Sequence, residues 1–141
     1  MSFDSYIICL TSDLTNSSFL HHTSYIKMNY IIHTPSAVRL KKEILESVSN
    51  NADANGKTIA TWHCVETEAN DRVLVHTTDQ WEEKGYITLK QNKSHNELKV
   101  RFHYWDSCED RSNDDDRYML GRFTELLLVH FSYFIDKIVI E

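Results

Sequence analysis

Glycine and proline are scarce in this chain, with three glycines (Gly56, Gly85, Gly121) and a single proline (Pro35) in 141 residues. Loops that cradle nucleotide phosphates need closely spaced glycines, and isolated ones do not supply them. No Walker loop, GxGxxG or GxSxG sequence is present. Cysteine is also sparse. Cys9, Cys64 and Cys108 are odd in number and unrelated in spacing, which reads as free thiols in a reducing compartment. It excludes a disulfide framework and the CxxC or Cys/His spacing of a zinc site, and no cofactor is expected.

Long hydrophobic runs are missing as well. The N-terminal apolar stretch Tyr6–Leu10 is too short for a signal peptide and lacks a basic flank. The longest apolar segment, residues 117–141, carries Arg122, Glu125, His130 and Asp136, which excludes a transmembrane span. The expectation is a cytoplasmic protein, so the sequons at Asn16 and Asn92 are chance matches. Without a Gly/Pro-rich linker or an internal repeat, residues 28–141 read as one α+β domain. Residues 1–27 are Ser/Thr-rich, with one strand-like piece (Ser5–Leu10) and the pair His21-His22. They read as an extension, flexible or non-native, in which adjacent histidines would point to opposite sides.

Positive charge is in deficit, 15 Lys and Arg against 21 Asp and Glu, for a net charge of -6. That balance excludes generic affinity for nucleic acid or anionic membranes and suits a partner with a basic surface.

What the chain does contain is periodicity. Tyr30–His33 reads as a strand, ended by Thr34-Pro35, with Thr34 as N-cap and Pro35 as first residue of a helix to Asn50. Ala37, Leu40, Ile44 and Val48 form its apolar face, and Arg39/Glu43 and Lys42/Glu46 are i,i+4 pairs on the other. Four strands then follow as two hairpins, over residues 57–67, 72–77, 84–91 and 97–105. The last alternates cleanly: Leu98, Val100, Phe102 and Tyr104 share one face, Lys99, Arg101, His103 and Trp105 the other. A symmetric second hairpin pairs Leu89 with Leu98 and puts Lys90 opposite Glu97.

From 114 to 135 a second helix is expected, with Leu120, Phe123, Leu127, Phe131 and Phe134 as its stripe and Leu128 and Val129 adding further apolar surface. So apolar a helix should be largely buried, and Gly121 should pack closely against a strand. A final strand covers 138–140. The predicted fold is therefore an antiparallel sheet, a four-strand meander plus an N-terminal and a C-terminal strand, packed on one face by two helices.

Three groups of residues carry candidate chemistry. With Ala69 and Asn70 central in the first hairpin, His63 falls opposite His76, and with His103 they share the outer sheet face beside Lys99 and Arg101. Histidines next to cations are the parts of a metal-independent ribonuclease or small hydrolase, with His63, His76 and His103 as catalytic residues. The second group is the acidic run Asp106, Glu109, Asp110, Asp114, Asp115 and Asp116, which has neither the alternating spacing nor the glycine of a calcium loop. It suits docking on a basic protein, with the last three acids also at a helix N-terminus. The third group is the outer-face set Lys99, Arg101 and Trp105, which with Tyr86 and Trp81 offers a surface for a homo-oligomer. No catalytic signature stands out, and the leading expectation is an acidic interaction module of the inhibitor, immunity or antitoxin type.

Overall fold

In the computed structural model, residues 28–92 and 95–141 are described; the expected Ser5–Leu10 strand and the His21-His22 pair lie outside them. Six strands form one antiparallel sheet: β1 (Tyr30–His33), β2 (Trp62–Glu66), β3 (Arg72–His76), β4 (Gly85–Gln91), β5 (Glu97–Tyr104) and β6 (Lys137–Ile140), in the order β2-β3-β4-β5-β1-β6. Helices α1 (Ala37–Asn50) and α3 (Asp115–His130) cover one face, and the short α2 (Asp79–Lys84) bridges β3 and β4. The architecture is the expected α+β one, and β1 joins the meander to the C-terminal strand by pairing with both β5 and β6. Among the described residues, no helix is long and apolar enough to cross a membrane.

Helix α1 starts two residues later than its sequence signals imply. Ser36, not Thr34, is the N-cap, and its hydroxyl accepts from the Arg39 N–H at 3.3 Å. Thr34 is needed elsewhere: its hydroxyl donates to the Phe134 carbonyl at 2.6 Å, tying the end of β1 to the turn before β6. Ala37, Leu40, Ile44 and Val48 are buried as the periodicity demands. The helix ends at Asn51, which adopts the left-handed conformation (φ 60°) and returns its N–H to the last turn. Arg39 lies over the Phe134 ring, 5.1 Å from its centroid.

Both hairpins depart from symmetric pairing, with different consequences. In the first, Trp62 faces His76 and His63 faces Val75, because Glu68-Ala69-Asn70 is a three-residue loop with Asn70 left-handed (φ 64°). A one-residue change of register turns every side chain of one strand over. Here β3 is the strand that turns, so Leu74 and His76 face the helices while Val73 and Val75 face outward. In the second hairpin the register moves by two, to Leu89 opposite Val100 and Lys90 opposite Lys99. An even shift preserves faces, so Leu98, Val100 and Phe102 remain in the core, and Glu97 faces His33 of β1 instead of Lys90.

Helix α3 buries Leu120, Phe123 and Leu127, and Phe131 just past its end is buried with them, each contributing roughly 1.5–3 kcal/mol. The Tyr30 hydroxyl bonds Thr124 Oγ1 at 2.6 Å beneath it, and burial pushes that phenol well above its ordinary range. The helix is not buried on most sides, because Leu128 and Val129 are 55% and 52% exposed. It also stops at His130, short of residue 135. A 3-10 turn, Ser132–Phe134, redirects the chain so that Asp136 N–H can bond the His33 carbonyl and open the β6 ladder. Gly121 is exposed, and a Cβ placed on it would meet nothing within 4 Å, so it packs against no strand.

Candidate functional site

Beyond Tyr104 the chain makes a loop, residues 105–114, that closes back on the end of the β4–β5 hairpin before entering α3. Asp115 anchors it. Its carboxylate takes the Tyr104 hydroxyl at 2.7 Å, the Ser112 N–H at 2.8 Å and the Lys84 ammonium at 3.1 Å. Burial works against the charge on Asp115, but these donors outweigh it and hold the carboxyl below its ordinary range. For Tyr104, burial and the adjacent carboxylate both push the phenol up.

Asp115 and Asp116 are only 3% and 5% exposed. Two of the six acids expected to dock a partner are thus interior groups that fasten the first turn of α3. Asp106, Glu109, Asp110 and Asp114 are exposed, with Asp114 paired to Arg117 at 3.2 Å. Arg111 closes the loop from within: its guanidinium lies 4.6 Å from the Tyr104 ring centroid and its Nε donates to the Cys108 carbonyl at 2.9 Å.

Between loop and sheet lies a cavity of about 620 Å³, lined by Tyr86, His103, Tyr104, Asp106, Arg111 and Asp116 among others. Tyr86 is the middle of an aromatic row, with Trp105 at 4.4 Å and His103 at 5.4 Å between centroids. Trp105 is itself held by its indole N–H on the Glu82 carbonyl at 3.0 Å. The Tyr86, His103 and Tyr104 rings and the carboxylates of Asp106 and Asp116 line this space, with the Arg111 guanidinium laid over Tyr104. Such a space suits a cation, above all a guanidinium, which can stack on an aromatic face while it bonds a carboxylate.

The histidines do not converge. His63 and His103 lie on the outer face, but β3 and β4 separate their strands, a distance of about 14 Å at the usual strand spacing. His76 is on the opposite face, edge-on to Trp62 at 5.0 Å, with Nδ1 bonded to Thr78 Oγ1 at 2.8 Å. Burial, and then the nearby Arg122, lower its affinity for a proton. His103 Nε2 instead bonds Thr88 Oγ1 at 3.0 Å. Lys99 and Arg101 are on the outer face as the alternation requires, and Lys99 sits directly across from Lys90. Trp81, expected on an oligomer surface with Trp105 and Tyr86, is buried and stacked on Tyr118 at 4.3 Å.

Tyr104 and Arg111 escaped the sequence reading as site residues. Tyr104 falls on the core side by alternation, and nothing local shows that the loop folds over its hydroxyl. Comparison with protein-family models, with curated proteins and with solved structures finds no match for this chain.

Proposed function

We propose that this protein is a small interaction module of the inhibitor, immunity or antitoxin kind, which docks a basic partner at the cavity beneath the acidic loop. The observation that supports it is that the Tyr86, His103 and Tyr104 rings line one concave space together with the carboxylates of Asp106 and Asp116, while Trp105 packs behind Tyr86. Exposed acids alone would be a solvated loop. Set beside rings already fixed in place, Asp106 forms with them a receptacle for an arginine side chain, and such a side chain is a frequent anchor of protein interfaces. Asp106, Glu109, Asp110 and Asp114 supply the attraction that steers a basic surface toward it. Asp115 and Lys84 lie outside the lining and hold the receptacle rigid through Tyr104 and Ser112.

The test is affinity capture from native lysate, followed by titration of the recovered partner at two ionic strengths. The expected complex weakens as salt rises. It is lost with Tyr86→Ala, and its association slows with Asp106→Asn combined with Asp110→Asn. An association indifferent to salt and to both sets of substitutions refutes the reading, as does the absence of any partner.

A further inference from the structure

A second concave region lies on the other side of α3, and it shares no lining residue with the docking cavity. Its volume is about 480 Å³. One wall is the extended segment 58–62 that leads into the edge strand β2, and the other is the exposed flank of α3. His76, Thr78, Tyr118, Arg122, Glu125 and His130 supply its polar groups, set against an apolar floor that includes Trp62 and Leu126.

The two imidazoles are held in the same manner. His130 is buried at the end of α3, and its Nδ1 bonds Asp53 Oδ2 at 2.8 Å. Asp53 is in turn fixed by its other oxygen, Oδ1, which accepts the N–H groups of Asn55 at 2.9 Å and Lys57 at 2.8 Å. The bond from His130, against the opposing effect of burial, holds the Asp53 carboxyl below its ordinary range, so it stays ionised. His76 is fixed through Nδ1 by Thr78. Among the described residues, Nε2 of neither ring has a hydrogen-bond partner, and neither nitrogen is enclosed. Each buried ring thus offers only its Nε2 edge to the cleft, the arrangement that proton transfer requires of an imidazole.

Arg122 lies on α3 with His130 and lines the same cleft. Its Nε and one terminal nitrogen bond the Tyr118 hydroxyl at 3.2 and 3.0 Å, while the other terminal nitrogen meets Glu125 at 3.1 Å. The Glu125 carboxylate is 67% exposed, so this ion pair is solvated and weak, and the guanidinium can exchange it for an oxyanion. Among the described residues no group of three His, Cys, Asp or Glu side chains forms a metal-binding cluster. The hydroxyls lining the cleft are those of Thr58, Thr61, Thr78 and Tyr118, of which Thr78 is bonded to the Nδ1 side of His76 and Tyr118 to Arg122. Two imidazoles beside a cation suit proton transfer on a substrate that brings its own nucleophile.

We propose that this cleft is an acid–base site that cleaves a phosphodiester carrying a neighbouring hydroxyl, the linkage found in RNA. His76 is the group suited to accept a proton, since burial keeps it neutral. Its Nε2 takes the proton of the ribose hydroxyl, and that oxygen forms a bond to phosphorus. The bond from phosphorus to the leaving oxygen breaks, and the electron pair stays on that oxygen. It receives a proton from Nε2 of His130, whose other N–H remains anchored on Asp53. The products are a cyclic phosphate and a free hydroxyl, and solvent restores the two protons. Arg122 binds the non-bridging oxygens. A cleft of this volume accepts a ligand of nucleotide size, and the acidic protein is not built to hold a long polyanion, so the substrate is short.

The experiment uses the full chain with the complete set of ribodinucleoside monophosphates, in the presence of a chelator, with products separated by chromatography. Cleavage of at least one of them is expected, together with inertness of the deoxyribo counterparts. His76→Asn and His130→Asn keep a donor at the Nδ1 position but remove Nε2, and each should slow the reaction at least about 100-fold, the usual contribution of such a group. Circular dichroism confirms that each variant is folded. If His130→Asn does not fold, Arg122→Gln, at a half-buried position, carries the test through a raised KM. A wild-type protein inert toward every dinucleotide overturns the proposal. So does activity that survives both histidine substitutions, or equal cleavage of the deoxyribo substrates. Because the docking cavity is untouched by these variants, partner capture with His76→Asn stays intact if only this proposal fails.

Discussion

Gly85 and Gly121 should respond to the same substitution, glycine to alanine, with opposite signs. Gly121 lies inside α3 on its exposed side, and a methyl group there meets no atom within 4 Å. Alanine is better in a helix interior by about 0.8–1.0 kcal/mol, because it loses less backbone entropy on folding. Nothing in the surroundings subtracts from that gain. Gly85 opens β4, where it faces Tyr104 of β5. A Cβ there would sit 2.1 Å from the His103 carbonyl oxygen and 2.7 Å from two atoms of the Phe102 ring. The oxygen is backbone, and Phe102 is seated in the core, so neither can swing aside. Relief requires β4 and β5 to part beside the docking cavity, which places the cost of Gly85→Ala at the upper end of overpacking, about 3 kcal/mol. Thermal unfolding followed by far-ultraviolet circular dichroism separates the two. Gly121→Ala should raise the melting temperature by about 3 °C and Gly85→Ala should lower it by about 10 °C, at the entropy usual for a chain of this length. If Gly85→Ala stays within about 0.5 kcal/mol of wild type, a change that surface substitutions reach, the close approach of β4 to β5 is wrong.

Three further outcomes follow from the ion pairs and titrating groups. Lys84→Met should cost about 3 kcal/mol, because it leaves Asp115 buried without its counter-charge, whereas Glu46→Gln should cost under about 0.5 kcal/mol at the exposed Lys42–Glu46 pair; thermal melts of both check this. Stability should be fully present above the ordinary histidine value of 6.5 and fall as pH drops below it, since folded His76 resists the proton that the unfolded chain accepts; pH-dependent urea midpoints should lose that decline with His76→Gln. Asp53 and Asp115, whose folded carboxyls are lowered, give a second loss as pH falls below their ordinary value of 3.8, and Asp53→Asn should diminish it in the same assay. In the first hairpin, Asn70→Val should cost about 1–2 kcal/mol by chemical denaturation, since a β-branched residue resists the left-handed conformation that sets the register.

Much of the fold was legible in local pattern. The helical spacing of Ala37, Leu40, Ile44 and Val48 and the alternation of Leu98, Val100 and Phe102 each name a buried face without reference to anything distant. Those periodicities arise from backbone geometry alone, so one chain segment suffices to show them. They fail where a segment is apolar on both sides. Val73, Leu74 and Val75 are all buried, so alternation cannot say which face of β3 is inward, and a loop of three residues instead of two decided it. His76 thereby moved from the surface set to the cleft. The acidic run shows the same limit. Six acids in sequence look equivalent, yet the meeting of Lys84, Tyr104 and Ser112 makes Asp115 an interior anchor. By itself, then, the sequence determined an antiparallel sheet under two helices and an acidic loop entering the second. Tertiary structure alone decided which histidines share a space, which acids meet solvent and that His130 finds Asp53, because each depends on contacts between residues far apart in the chain. Side-chain direction in a sheet changes with a single residue of register, and no local propensity carries that information.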